Sequence, residues 1–102
     1  MTNEKIIVHI DDEDVLELAP GYLKNRRKEL AVLRDAAAQG DFETLRGLGH
    51  KMKGSGGGFG FDRITELGGN LESFAKAQDM AAVEREIAAL QDYLDRVEIV
   101  GE

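Results

Sequence analysis

Residues 79–97 read DMAAVEREIAALQDYLDRV and carry the clearest helical period in the chain. Because an α-helix repeats every 3.6 residues, apolar residues spaced by fours and threes fall on one stripe of its surface. A stripe of this length has to be buried against other helices, so the segment predicts a helical bundle. Its members are Val83, Ile87, Leu90, Leu94 and Val97.

Three earlier segments repeat the helical period and are bounded by turn residues. The first carries Pro20 near its front and ends at Gln39-Gly40, where glycine is a natural helix stop. The second begins after the N-cap Asp41, and the third begins with Asp62 as its N-cap. Their inward positions are Leu16, Ala19, Leu23, Leu30, Leu33 and Ala37, then Phe42, Leu45, Leu48, Gly49 and Met52, then Ile64, Leu67, Leu71 and Phe74.

The sequence predicts a single domain over residues 1–102. Connections of a few residues between long helices favour antiparallel neighbours, so we expect an all-α fold, with an up-down antiparallel four-helix bundle over residues 13–102. Residues 1–12 form an N-terminal extension that is rich in apolar, β-branched residues from Lys5 to Ile10. We expect this segment to cover one end of the bundle, as an extended piece or as a short helix.

Composition and charge narrow the classes of protein that the chain can represent. It has 102 residues, no cysteine and a net charge of -7, which disfavours disulfide frameworks, thiolate chemistry and nucleic-acid binding. The basic run at residues 24–28 is more typical of the wet face of a helix than of a nucleic-acid patch. The apolar runs, such as Ile6 to Val8, are at most four residues long, which is too short to span a membrane. We expect a cytoplasmic monomer that binds neither nucleic acid nor membranes.

Residues 49–61, GHKMKGSGGGFGF, interrupt the helical pattern with a cluster of glycines. The segment does not fit a P-loop, because Ser55 follows Gly54 where that motif requires lysine, and it does not fit the dinucleotide motif G-x-G-x-x-G. It also lacks the ligands of a metal site, since the other histidine is the distant His9 and the chain has no cysteine. We therefore predict no metal.

His50 is expected on the outward side of the second helix. At about 100° per residue, its side chain points away from the apolar positions of that helix. An interior helical glycine costs about 1 kcal/mol relative to alanine, so several glycines together indicate that something needs a cleared surface. The residues that share the outward sector with His50 are Arg46, Gly47, Lys53, Gly54 and Gly57.

An exposed imidazole that is flanked by bare backbone and by cations is suited to act as a nucleophile toward another macromolecule. The anionic group of that macromolecule can approach it closely. A histidine is mostly neutral at cytoplasmic pH and then has a lone pair, while Lys53 can contact phosphoryl oxygens. These features predict a phosphate-carrying histidine. Plainer readings stay open: His50 is only a polar surface residue, or the glycines serve helix packing and a flexible loop from Gly56 to Gly60.

The stretch L-x-x-L-G-H-K-M-K-G-S at residues 45–55 resembles the histidine-containing phosphotransfer (HPt) domain. Members of that family show a histidine, a lysine three residues later, a glycine directly after it, a further glycine before the next helix, and then a Leu-Glu or Leu-Gln pair. The likeness extends more loosely over most of the chain. The matching positions are His50, Lys53, Gly54, Gly60 and Leu71-Glu72.

The resemblance implies roles for individual residues. His50 is expected to accept a phosphoryl group, Lys53 to contact it, and Glu72, where other members often have glutamine, to help orient the imidazole. The sequence departs from the family at Gly49, where alanine is common, and in the extra glycines at residues 56–58. Phe61 is expected in the core. The residues expected to form the docking surface are Arg46, Gly47, Lys51, Gly54, Gly57 and Phe59.

The resemblance also implies a place in a phosphorelay. The expected partners are response-regulator receiver domains and hybrid histidine kinases, with the phosphoryl group passing from one receiver aspartate to the histidine and on to another receiver aspartate. Mg²⁺ is expected on the receiver, and no cofactor on this chain, which is too short to hold an ATP-binding kinase domain as well. The alternative is a docking or scaffold module that binds receiver domains without carrying phosphate.

Overall fold

The computed structural model describes residues 4–101. In that part of the chain four α-helices follow one another, as the sequence predicts, and a short strand lies at each end. The helices are α1 (Glu13–Ala38), α2 (Phe42–Ser55), α3 (Asp62–Lys76) and α4 (Met80–Arg96), and the strands are β1 (Ile6–Ile10) and β2 (Val97–Gly101). The fold is therefore mostly helical, and the prediction of an all-α chain is wrong at the two ends.

The helices pack as a bundle around one apolar core. Each helix contacts the next one in the chain, and α4 also contacts α1. The predicted stripes supply most of the core, and Phe61 lies in it as expected. Tyr22 and Ala36 are buried on α1 as well, although the apolar period did not mark them. The largest fully buried side chains are Leu33, Leu45, Met52, Phe61, Ile64, Leu67, Leu71, Val83, Leu90 and Leu94.

The two strands form a small parallel sheet that joins the two ends of the described chain. The register runs from Ile6 opposite Val97 to Ile10 opposite Gly101. Val97 therefore begins β2 instead of ending the stripe of α4, because the β-branched residues that follow it pair with β1. Of the two forms expected for the N-terminal cover, the extended one is confirmed.

The start of α1 lies further upstream than its apolar period indicates. The Asp12 side chain caps the helix by accepting hydrogen bonds from the N–H groups of Asp14 and Val15, at 2.8 and 3.2 Å. Pro20 consequently lies inside α1, about two turns from its start, where its missing N–H leaves the Leu16 carbonyl without the usual helical partner. The expectation that Pro20 lies near enough to the front for its missing N–H to cost little is therefore wrong, because Pro20 lies beyond the first turn.

The starts of α2 and α3 differ in how they are capped. The Asp41 side chain accepts a hydrogen bond from the Thr44 N–H at 3.1 Å, which confirms it as the N-cap of α2. At α3 the N-cap is Phe61, with no side-chain cap, and Asp62 is the first helical residue. The assignment of Asp62 as N-cap is therefore wrong, because Phe61 is buried in the core and fixes the entry of the chain into α3.

Both α1 and α3 end in a left-handed residue that reverses the chain within a few positions. Gly40 has a φ of 68° and ends α1, as predicted, with the Asp41 N–H donating to the Ala36 carbonyl at 2.8 Å. Gln78 has a φ of 56° after α3, and there the Asp79 N–H donates to the Phe74 carbonyl at 3.0 Å. These compact turns keep consecutive helices in contact.

Candidate functional site

Helices α2 and α3 share the most extensive contact of any helix pair in the bundle, and two glycines make this contact possible. A Cβ added to Gly49 would lie 2.7 Å from the Gly68 carbonyl oxygen and 2.8 Å from the Glu72 nitrogen. A Cβ added to Gly68 would lie 2.5 Å from the Lys53 nitrogen. Since these neighbours are backbone atoms that cannot move aside alone, the contact requires glycine on both helices.

The glycine contact brings three polar side chains together at the surface. His50 follows Gly49 on α2, and Glu72 lies one turn after Gly68 on α3. The Nδ1 atom of His50 is 2.9 Å from Oε2 of Glu72, and the Nζ atom of Lys53 is 3.5 Å from Oε1 of the same carboxylate. The structure thus unites the three residues that the sequence proposed for the chemistry.

The carboxylate of Glu72 in this cluster is largely buried, whereas the imidazole of His50 is exposed to solvent. The Glu72 side chain is only 12% exposed, whereas the side chains of His50 and Lys53 are 68% and 56% exposed. Packing against α2 therefore fixes the position of Glu72. The outward orientation predicted for His50 is confirmed.

Electrostatics keep Glu72 ionised. Burial is the largest influence and opposes ionisation, but the hydrogen bond and charge of His50 and the charge of Lys53 outweigh it, so the pKa of Glu72 lies below its ordinary value. An ionised carboxylate can only accept hydrogen bonds, so Nδ1 of His50 must donate. In the neutral imidazole the lone pair is then on Nε2, the nitrogen available to a partner.

The glycines of the predicted docking surface have a different environment from those of the helix contact. A Cβ added to Gly47 or Gly54 would meet no atom within 4 Å, and one added to Gly57 would make only ordinary contacts. By contrast, a Cβ on Gly56 would come within 2.7 Å of the Thr65 nitrogen. Helix packing therefore explains Gly49, Gly56 and Gly68 but not Gly47 or Gly54.

The segment after α2, for which the sequence left a loop from Gly56 to Gly60 open, is a turn that hydrogen bonds join to α2 and α3. Its residues 57–59 form a 3-10 turn, and Gly60 takes a φ of 87° that favours glycine. Thr65 of α3 joins the turn to α2: its hydroxyl accepts from the Gly57 N–H at 2.8 Å and donates to the Lys53 carbonyl at 3.1 Å. No local pattern marks Thr65, because both of its partners lie on other elements.

The remaining residues of the predicted docking surface lie in two settings. Arg46 and Lys51 are exposed on α2. Phe59 is only partly exposed, because its ring stacks on Tyr22 with the centroids 4.4 Å apart. The Tyr22 hydroxyl in turn lies 2.7 Å from the Ser55 hydroxyl near the end of α2. The sequence suggested no role for Tyr22 or Ser55, and in the structure they hold the end of α2 against α1.

The family model described as Hpt domain matches residues 16–99. The chain belongs to the Hpt domain family. Its membership makes it a histidine phosphotransfer module of two-component signalling. Comparison with curated proteins and comparison with solved structures give no significant match. The matched range contains the whole His50 cluster of this Hpt domain, whereas β1 lies outside it.

Within residues 4–101, no helix combines the length and the apolar character needed to cross a bilayer.

Proposed function

We propose that this Hpt domain is a phosphorelay intermediate, in which His50 accepts a phosphoryl group from the aspartyl phosphate of one receiver domain and passes it to the aspartate of another. The observation that carries the proposal is the buried Glu72 carboxylate, 2.9 Å from Nδ1 of His50. It leaves Nε2 as an exposed nucleophile on a fixed ring.

The four helices are proposed to run up and down in turn. The protein is proposed to act in the cytoplasm.

The transfer on this ring needs no proton movement. Nε2 attacks the phosphorus in line, the Nε2–P bond forms, and the bond from phosphorus to the aspartyl oxygen breaks to release a carboxylate. The resulting phosphoimidazole carries a positive ring that keeps its proton on Nδ1, hydrogen-bonded to Glu72. In the onward transfer the oxygen of the second aspartate attacks phosphorus, and neutral His50 leaves in the tautomer in which it started.

Lys53 is proposed to contact the phosphoryl oxygens during transfer. Its ammonium lies 3.5 Å from Glu72 and its side chain is largely exposed, so it can turn toward a phosphoryl group on Nε2 while the Glu72 carboxylate keeps its hydrogen bond from Nδ1 of His50. The Mg²⁺ required to neutralise the acyl phosphate is expected in the acidic pocket of the receiver. This chain is proposed to bind no cofactor.

The docking of a receiver is proposed to use the open backbone around His50. Gly47 and Gly54 leave space on either side of the imidazole, and the exposed cations Arg46 and Lys51 suit a partner with an acidic pocket. Hybrid histidine kinases carry receiver domains and are the proposed source of the phosphoryl group. Gly57 and the exposed part of Phe59 are proposed to extend the contact toward α3.

The test is incubation with receiver domains already phosphorylated by a small acyl phosphate, in the presence of Mg²⁺. Intact mass should show a gain of one phosphoryl group that is labile to acid and stable to base. His50→Gln should abolish the gain, while His9→Gln, the matched control at the other histidine, should keep it. Phosphorylation of the His50→Gln variant would refute the assignment, and binding of receivers with no phosphoryl gain would favour a docking module instead.

A further inference from the structure

The strand β1 has one partner in the described chain and therefore one unpaired edge. The sheet has the order β1-β2 with no third strand among residues 4–101. An isolated pair of five-residue strands is marginal by itself, and the backbone N–H and C=O groups on its outer edges can pair with another strand. β1 also lies outside the range that matches the Hpt family, so the roles proposed for His50 do not account for it.

The edge of β1 lacks the features that usually prevent pairing with another chain. Edge strands are commonly protected by a charged residue, a proline or a bulge within the strand. The strand reads IIVHI, without a charged residue or proline, and its register with β2 runs without a bulge. Ile7 is 47% exposed and, with Leu18 and Val32, is one of three large apolar side chains that are exposed among residues 4–101.

We propose that β1 pairs with β1 of a second copy of this chain, as antiparallel edge strands centred on Val8. In this register Val8 faces its own copy, Ile7 faces His9 of the second copy, and Lys5 faces Asp11 of the second copy. The two-fold symmetry produces the Lys5–Asp11 pair twice, once at each end of the strand. These charges lie at the two ends of the apolar strand. Opposite charges that face each other across strands are stabilising.

The register also matches the two faces of the sheet and the two sides of the backbone. The residue numbers of two facing positions add up to 16. An even-numbered residue therefore always faces an even-numbered one, and an odd-numbered residue an odd-numbered one. The partly or fully buried Ile6, Val8 and Ile10 therefore continue the inner face, while the exposed Ile7 and His9 continue the outer face. The backbone N–H and C=O groups of β1 that point away from β2 likewise face the corresponding groups of the second copy. This gives about four to six new hydrogen bonds.

An alternative pairing through β2 is less favourable. Antiparallel β2 strands centred on Ile99 would place Glu98 opposite Val100, and the charge that this register sets opposite Glu102 is Arg96, which is already engaged with Asp92 at 2.9 Å and with the Glu4 carbonyl at 3.3 Å. The β1 pairing is confined to the strand, because the next facing residues, Glu4 and Asp12, carry like charges. Since the interface is small, we expect a monomer–dimer equilibrium in which the dimer forms at high concentration, up to about 1 mM. This refines the expectation of a monomer from the sequence.

The test is sedimentation velocity over a range of concentrations, on the unmodified full chain and four variants of it. The unmodified chain should show a dimer at the highest concentrations. Lys5→Glu and Asp11→Lys should each abolish it, because each places like charges opposite one another at both ends. The double variant Lys5→Glu/Asp11→Lys restores opposite charges and the original net charge, and it should restore the dimer. Lys24→Glu, an equal charge change on the exposed side of α1, should leave the dimer unchanged.

Each other result counts against the pairing. A chain that stays monomeric at about 1 mM has no such interface, and a dimer that survives both single changes uses another surface. Failure of the double variant to restore the dimer, with circular dichroism unchanged, would overturn the register. Because no changed residue belongs to the His50 cluster, phosphoryl acceptance should stay the same in all variants, so the failure of this proposal is distinguishable from failure of the proposed function.

Discussion

At the scale of the residue, the state of His50 depends on one carboxylate from another helix. Glu72 is ionised, largely buried and 2.9 Å from Nδ1. It therefore selects the tautomer with its lone pair on the outward nitrogen and limits rotation of the ring. A histidine on the surface without such a partner would populate both tautomers and several rotamers.

Replacing Glu72 should change the tautomer of His50 and leave the fold intact. In Glu72→Ala we expect ¹⁵N NMR to show a mixture of imidazole tautomers in place of the Nδ1–H form, and the rate of phosphoryl acceptance to fall about tenfold. Glu72→Gln can accept the same hydrogen bond through its amide oxygen and should restore part of the rate. A single Nδ1–H tautomer in Glu72→Ala would contradict this role.

Gly54 is expected to lower the stability of α2 and to leave room for a receiver domain to reach His50. Because a Cβ at this position meets nothing within 4 Å, Gly54→Ala should raise the free energy of unfolding by up to about 1 kcal/mol. Gly54→Leu should block transfer from a receiver while His50 still reacts with a small phosphodonor. Gly21→Leu, at an equally open glycine of α1, is the control that should leave transfer unchanged. Equal loss with both donors would show that Gly54 is structural.

At the scale of the element, the site depends on how closely α2 and α3 pack. The Gly49–Gly68 contact sets the separation of the two helix axes, and the Thr65 hydroxyl fixes the end of α2 to α3. The departure of the sequence from the family at Gly49 is explained by the same contact, since a Cβ there would strike the backbone of α3.

A methyl group at Gly68 should push the two helices apart. Its Cβ would lie 2.5 Å from the Lys53 nitrogen, so Gly68→Ala should cost about 1–3 kcal/mol in chemical denaturation and slow phosphoryl acceptance. The adjacent Gly69→Ala is the matched control, because its Cβ would come no closer than 3.7 Å to the Lys53 side chain. A loss of stability and rate that is the same in both variants would rule out the helix contact as the cause.

The turn after α3 offers a stabilising change. Gln78 takes a φ of 56°, which costs a residue with a side chain about 1 kcal/mol relative to glycine. Gln78→Gly should raise the free energy of unfolding by about that amount and leave transfer unaffected. Ala77→Gly, one residue earlier at a φ of -78°, should give no such gain. Equal effects of the two changes in urea unfolding would refute the conformational explanation.

At the scale of the whole molecule, the fold closes on itself through its two ends. The parallel strands join residues near the start of the chain to the residues after α4, and Arg96 reaches the Glu4 carbonyl at 3.3 Å. α1 is joined to α4 by side chains as well, with Arg27 donating to the Leu94 carbonyl at 3.1 Å. These contacts hold α1 against α4 and complete the bundle that presents α2 and α3.

The buried Tyr93 should make the whole molecule sensitive to alkaline pH. Burial raises the pKa of Tyr93 to about 12, with smaller contributions from Asp62 and Tyr22, whereas an unfolded tyrosine has a pKa near 10. The native state therefore holds the proton more tightly, and its stabilisation is complete below about pH 10 and lost as pH rises toward 12. Urea unfolding at several pH values should show this fall. Tyr93→Phe should flatten it, and an unchanged slope would contradict the assignment.

The sequence by itself determined the helices, the outward direction of His50 and the position of Lys53 one turn from it. The helices follow from local spacing, because a period of 3.6 residues and an N-cap such as Asp41 act within a few positions. The direction of His50 follows from the same period. Glu72 was implied by a family resemblance, and its distance from His50 could not be read from the chain.

Tertiary structure alone decided which glycine of α3 packs against α2, and where the helical period ends. Gly68 and Gly69 look alike in the sequence, but a Cβ on Gly68 would lie 2.5 Å from the Lys53 nitrogen, whereas one on Gly69 would come no closer than 3.7 Å to the Lys53 side chain. Val97 continues the spacing of α4 and yet begins a strand, because its pairing partner Ile6 lies at the other end of the chain. Long-range pairing of this kind leaves no local period in the sequence from which it could be predicted.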